Sequence, residues 1–118
     1  MWTDEVGVLP WDVGRLALRV DGPDDLYVLI VTRDGRAGIS KKRRGQWLPW
    51  LVKAETGIDP LEPHVYRVSA RADRFIVAID GVEILRYADR DDPIWVGHIG
   101  LHLVNARATI DGIRVRER

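Results

Sequence analysis

Polar and apolar residues alternate with a period of two along most of this chain. That spacing suits β-strands, whose successive side chains point to opposite faces, and not an amphipathic helix. Arg15-Leu16-Ala17-Leu18-Arg19-Val20 sets Leu16, Leu18 and Val20 on one face. Leu26 to Val31 is apolar throughout, as expected of a strand buried on both sides. Asp34-Gly35 then marks a turn, and Ala37 to Arg43 reads as the partner strand. His64 to Ala72 and Arg74 to Ile79 follow, then Asp80-Gly81 and a further strand over Val82 to Tyr87. Asp-Gly between apolar strands is a strong hairpin signal, because a type I′ turn needs positive φ at both central residues. Gly97 to Asn105 and Ala108 to Glu117 finish the chain as strands, with Ile99, Leu101 and Leu103 expected to face the core.

The rest of the chain punctuates these strands. Thr56 to Pro63 carries two prolines and a glycine and reads as a loop; Ala88 to Pro93 reads as an acidic loop. Leu48 to Glu55 has room for one helical turn, which Pro49 disfavours. Roughly eight short strands joined by Gly, Pro and Asp turns predict an all-β, antiparallel two-sheet sandwich or barrel. The 118 residues suit one domain, 1–118, with an irregular segment over 1–14.

Composition narrows the function classes. Lys plus Arg and Asp plus Glu are both 18, giving a formal net charge of +0, so a global pull toward nucleic acid or anionic membrane is not expected. With Cys at 0, disulfides, thiol nucleophiles and thiolate metal sites are excluded. No apolar run approaches the roughly 20 residues of a membrane helix, and the start lacks the basic-then-apolar order of a signal peptide. The compartment is not decided by either observation. Trp is 5 against 1 Phe, an unusual ratio for a residue whose N–H wants a partner and whose flat face suits stacking.

The second half carries a family resemblance. Tyr66-Arg67-Val68, the hairpin Phe75-Ile76-Val77-Ala78-Ile79-Asp80-Gly81, Tyr87-Ala88-Asp89, Gly97-His98-Ile99-Gly100-Leu101-His102 and Ile110-Asp111-Gly112-Ile113-Arg114-Val115 follow one another in order. This plan resembles the C-terminal half of concanavalin A-like jelly rolls, the lectin/glucanase superfamily. It is most similar to the keto-disaccharide hydrolase (glucanase-like) domain and to laminin G-like domains. The resemblance implies a jelly-roll sandwich and a carbohydrate-binding or carbohydrate-associated module, with a glycoside hydrolase-like enzyme or a protein-interaction domain as alternatives. Such domains run longer, so the chain is expected to lack N-terminal strands and to expose a sheet edge open to homodimerisation or to a larger parent protein.

Individual residues are weighed against that frame. Retaining glucanase relatives hydrolyse sugars with an E-x-D-x-E strand whose carboxylates lie on one face; none occurs here, and Glu55, Glu83, Asp89 and Asp91 are isolated. No catalytic residue is therefore assigned. His98 and His102 share a strand face, but their Cα atoms would lie roughly 13 Å apart, too far for one metal ion. They are candidates to hydrogen-bond a sugar, against the plainer role of polar residues on a sheet surface. Trp47 and Trp50 are the best candidates for stacking on the C–H face of a pyranose, against the plainer role of plugging the sandwich. Trp95, Trp2 and Trp11 are weighed the same way, the last two as covers for an edge or a partner chain. Lys41-Lys42-Arg43-Arg44, with Arg36 and Lys53, offers a patch for an anionic ligand or nucleic acid, but alternation on a strand splits the run between two faces and it is expected to protect a sheet edge. Asp89-Arg90-Asp91-Asp92 offers oxygens for Ca²⁺, but Arg90 in its midst favours a solvated turn, so no cofactor is assigned. Partners compatible with zero net charge are neutral sugars and apolar protein faces.

Overall fold

The computed structural model describes residues 1–5, 13–103 and 107–110. Its strands are β1 (Trp2–Glu5), β2 (Gly14–Val20), β3 (Leu26–Val31), β4 (Arg36–Arg43), β5 (Gln46–Trp47), β6 (Val52–Glu55), β7 (Tyr66–Arg71), β8 (Arg74–Ile79), β9 (Val82–Ala88), β10 (His98–Leu103) and β11 (Arg107–Thr109). There is no helix among the described residues, and the chain is an all-β sandwich. The larger sheet runs β10-β2-β3-β4-β5, with β6 also paired to β4; the smaller runs β7-β8-β9. All the pairings are antiparallel.

The core lies between these sheets and follows the period of two. Leu18 of β2, Tyr27, Leu29 and Val31 of β3, and Ala37 and Ile39 of β4 meet Phe75, Val77 and Ile79 of β8 and Leu85 of β9. Tyr27 and Phe75 pack with ring centroids 4.7 Å apart at 59°. Each buried Val, Leu, Ile or Phe side chain among them contributes about 1.5–3 kcal/mol by leaving water. The alternate residues of the same strands, Ala17, Leu26, Val28 and Ile30, form a second apolar cluster on the opposite face of the larger sheet. Leu26–Val31 is thus covered on both sides, as its unbroken apolar run predicts.

Turn chemistry explains the hairpins. Asp80 and Gly81 take φ of 52° and 83° between the paired Ile79 and Val82. Arg44 and Gly45 do the same, at 50° and 79°, between Arg43 and Gln46. Arg19 also has positive φ, 47°, inside β2. There the alternation reverses. Arg19 turns to the core side, over the Phe75 ring at 5.3 Å, with hydrogen bonds to the carbonyls of Ala72 and Ile94, while Val20 joins the opposite cluster. Val20 was expected to share a face with Leu16 and Leu18, and this local twist corrects that.

Three further expectations need correcting. The N-terminal segment is not wholly irregular, since Trp2–Glu5 pairs with Arg107–Thr109; four residues are too few for alternation to register. Ile99 is not a core residue: it is 45% exposed, because the register shifts between His98 and Gly100 and β10 ends the sheet. The basic run does not guard an edge, since β4 is an interior strand and Lys41 points into the sandwich, 1% exposed. Of the expected last strand, the described residues reach Ile110, and Trp11 lies outside them.

Lys41 explains the acidic loop. Its ammonium lies 2.6 Å from Asp89 Oδ2 and donates to the carbonyls of Asp91 at 2.7 Å and Asp92 at 2.8 Å. Tyr27 donates its hydroxyl to the same Asp89 oxygen at 2.5 Å and accepts from the Ile94 amide at 3.0 Å. Arg43 closes the outside, bridging Asp92 and Asp25. These oxygens converge on a cation supplied by the chain itself.

Candidate functional site

The outer face of the larger sheet carries a groove of about 590 Å³. That is a volume typical of small-ligand sites. Its floor includes Ile30 of β3, with Thr32 beyond it and Ser40 of β4 alongside. Arg15 of β2 and His102 of β10 are cross-strand partners and stand together on one side. Trp47, Leu48, Trp50 and Lys53 form the other side, with Arg36 at one end.

The aromatic wall comes from an interruption in pairing. Both β5 and β6 pair with β4, Trp47 opposite Lys42 and Val52 opposite Ile39. The residues between are too many for the gap, so they loop outward as a bulge. Backbone bonds from Leu48 to Lys41 (2.9 Å) and Leu51 to Ile39 (2.9 Å) fix both ends. Trp50 then folds back over β4. It can do so because residue 38 is glycine: a Cβ there would lie 2.3 Å from Trp50 Cε3 and 2.5 Å from the Val52 carbonyl oxygen. Trp50 is half-buried, whereas Trp47 is 43% exposed.

Electrostatically the groove is basic. Lys42 Nζ sits 5.7 Å from the centre of the Trp47 ring, and Lys53 Nζ 5.3 Å from that of Trp50. Such cation–π contacts hold the two ammonium groups against the aromatic wall. The Trp47 and His102 rings lie 5.4 Å apart, tilted by 59°. Burial, with Arg15 and Lys42 nearby, lowers the His102 pKa below its ordinary value, so the imidazole is neutral at pH 7. Its Nδ1 is buried and has no hydrogen-bond partner among the described residues.

Of the four residues singled out in the sequence, the groove brings together Trp47, Trp50 and His102. His98 is not among them. It pairs with Val20 at the far end of β10, beyond the register shift, and is exposed. Trp95 is exposed too, at 58%, and does not line the groove. The acids considered for hydrolysis are held elsewhere: Glu83 is paired on the surface with Arg86, and Asp89 is buried under Lys41. Arg15 and Gly38 were missed, whereas Lys42 and Lys53 entered the sequence reading only as parts of a basic patch that was set aside. Arg15 was legible in principle, since it stands on the face opposite Leu16 and Leu18. Gly38 lies opposite Ile39 in the same way.

No protein-family model matches the chain, and no curated protein matches it. In fold, the chain is similar to the carbohydrate-binding module CBM66 from Bacillus subtilis. The TM-score is 0.71 at 20% sequence identity, and the match covers 86% of this chain and 63% of that one. The chain thus spans less than two thirds of the length of the CBM66 chain it matches. The likeness supports the β-sandwich fold.

Proposed function

We propose that this chain is a non-catalytic carbohydrate-binding module and that the groove on the larger sheet receives the sugar. The observation that carries the reading is the pair Trp47, at the end of β5, and Trp50, on the bulge that follows it, brought onto one sheet face beside His102. An indole offers a flat apolar surface to the C–H face of a pyranose, while Ser40, Thr32, Arg15 and His102 supply polar groups for hydroxyls. The resemblance of the second half to concanavalin A-like domains, and the fold shared with CBM66, support the same reading. Fold alone does not fix function, and the residues of the groove carry the argument.

Glycan-array screening followed by calorimetry tests it, with Trp47→Ala and Trp50→Ala as paired variants. Binding that each substitution weakens about tenfold or more is the expected result, as for loss of an aromatic anchor. Silence across the array, or binding indifferent to both substitutions, would overturn the proposal.

A further inference from the structure

The zero net charge of the chain points toward neutral ligands, but the charge is not evenly spread. Four basic side chains, Arg15, Arg36, Lys42 and Lys53, line or border the groove, and among the described residues no acid lines it. At the Arg36 end two acids stand near, Asp34 paired with Arg36 at 2.6 Å and Glu55 opposite it across the strands. Lys42 and Lys53 form no ion pair among the described residues, and each ammonium is held over a tryptophan ring. Arg15 is 8% exposed and opens into the groove beside His102.

We infer that the groove takes an acidic saccharide, a sugar ring stacked on Trp47 and Trp50 whose carboxylate or sulfate is met by Lys42, Lys53 and Arg15. This deepens the reading above and rests on it. The geometry suits the chemistry. Each ammonium lies over its indole at the end of a flexible chain, so a sugar ring that stacks there moves the ammonium aside and brings its own charged substituent within the lysine's reach. A guanidinium can also hold a carboxylate through two parallel hydrogen bonds, which gives direction as well as attraction.

Calorimetry on the intact chain separates the two readings. The probes are oligomers of galacturonate, of mannuronate and guluronate, and of sulfated hexose, each beside its methyl-esterified or desulfated counterpart, with a single-stranded oligonucleotide as a further anion. The expected result is that one acidic series binds about tenfold or more tighter than its neutralised counterpart, as loss of a charge-assisted contact predicts. That preference should shrink in Lys42→Gln and Lys53→Gln, whose melting temperatures check folding, and between low and high salt. Whether the carboxylated or the sulfated series responds identifies the acid. Equal binding of acidic and neutralised oligomers, lost in Trp47→Ala, would overturn the charge inference and leave the carbohydrate reading standing. Tighter binding of the oligonucleotide than of any saccharide would overturn both, as would no binding at all.

Discussion

Replacing Lys41 by methionine should unfold this sandwich well below its normal melting temperature. The side chain is 1% exposed, and its ammonium is the ion-pair partner of Asp89, itself 1% exposed. Methionine fills similar space with an apolar chain but leaves the carboxylate to Tyr27 and the Asp91 amide alone. Removing one partner of a buried pair costs about 3–5 kcal/mol. The carbonyls of Asp91 and Asp92 also lose their donor, but both residues are exposed and water replaces it, so nothing is added for them. At about 2.1 cal/mol/K per residue, an unfolding entropy of roughly 250 cal/mol/K converts 3 kcal/mol into a fall of about 12 °C. Differential scanning calorimetry and urea titration at pH 7 measure it. Adding Asp89→Asn to Lys41→Met should recover at least half of the loss, since no charge then remains buried. A fall of less than about 4 °C for Lys41→Met, or a double variant no better than the single one, would refute the view that this pair anchors the loop.

Other expectations follow from the groove and the core. Gly38→Ala puts a methyl group into the Trp50 ring and the Val52 carbonyl; it should cost about 1–3 kcal/mol, and Trp50 fluorescence should shift as the indole moves toward solvent. Phe75→Ala should cost about 3–5 kcal/mol in urea unfolding, because the ring is fully buried against Tyr27. His102 should titrate below the ordinary histidine range in proton NMR. Its folded pKa is depressed, so the unfolded chain binds more protons between the two pKa values. Stability therefore rises with pH through that window, and the penalty is complete below the folded pKa; a His102→Gln variant should lose this slope.

Much of the sandwich was legible because its determinants are local. Leu26–Val31 announces double burial by its own composition, and Asp80-Gly81 announces its hairpin by the φ values it tolerates. What escaped depends on distant partners. A lysine in a basic run looks like surface. Lys41 is interior only because Asp89, far along the chain, and two carbonyls of the next residues meet its ammonium. Ile99 has core chemistry on an alternating strand, yet a shifted register at the sheet edge leaves it exposed. In the candidate site, the types of Trp47, Trp50 and His102 pointed to stacking and hydrogen bonding, but His98 shared the same pattern and lies outside. The bulge that lifts Trp50 was not visible, because Trp47 to Lys53 carries no signal that its two ends pair with one strand.

That bulge has a consequence for how such a surface diversifies. Its ends are stitched to β4 by backbone bonds at Leu48 and Leu51, which any sequence without proline at those positions can make, and Leu51 also packs against the core. The residues it displays are therefore almost uncoupled from the strand order beneath them. Gly38 is the exception, tied to Trp50 by contact, so the two positions must change together. A library that varied residues 47–50 with residue 38 as a single unit would sample new ring-stacking surfaces on an unaltered sandwich, whereas varying either part alone would mostly yield clashes or cavities.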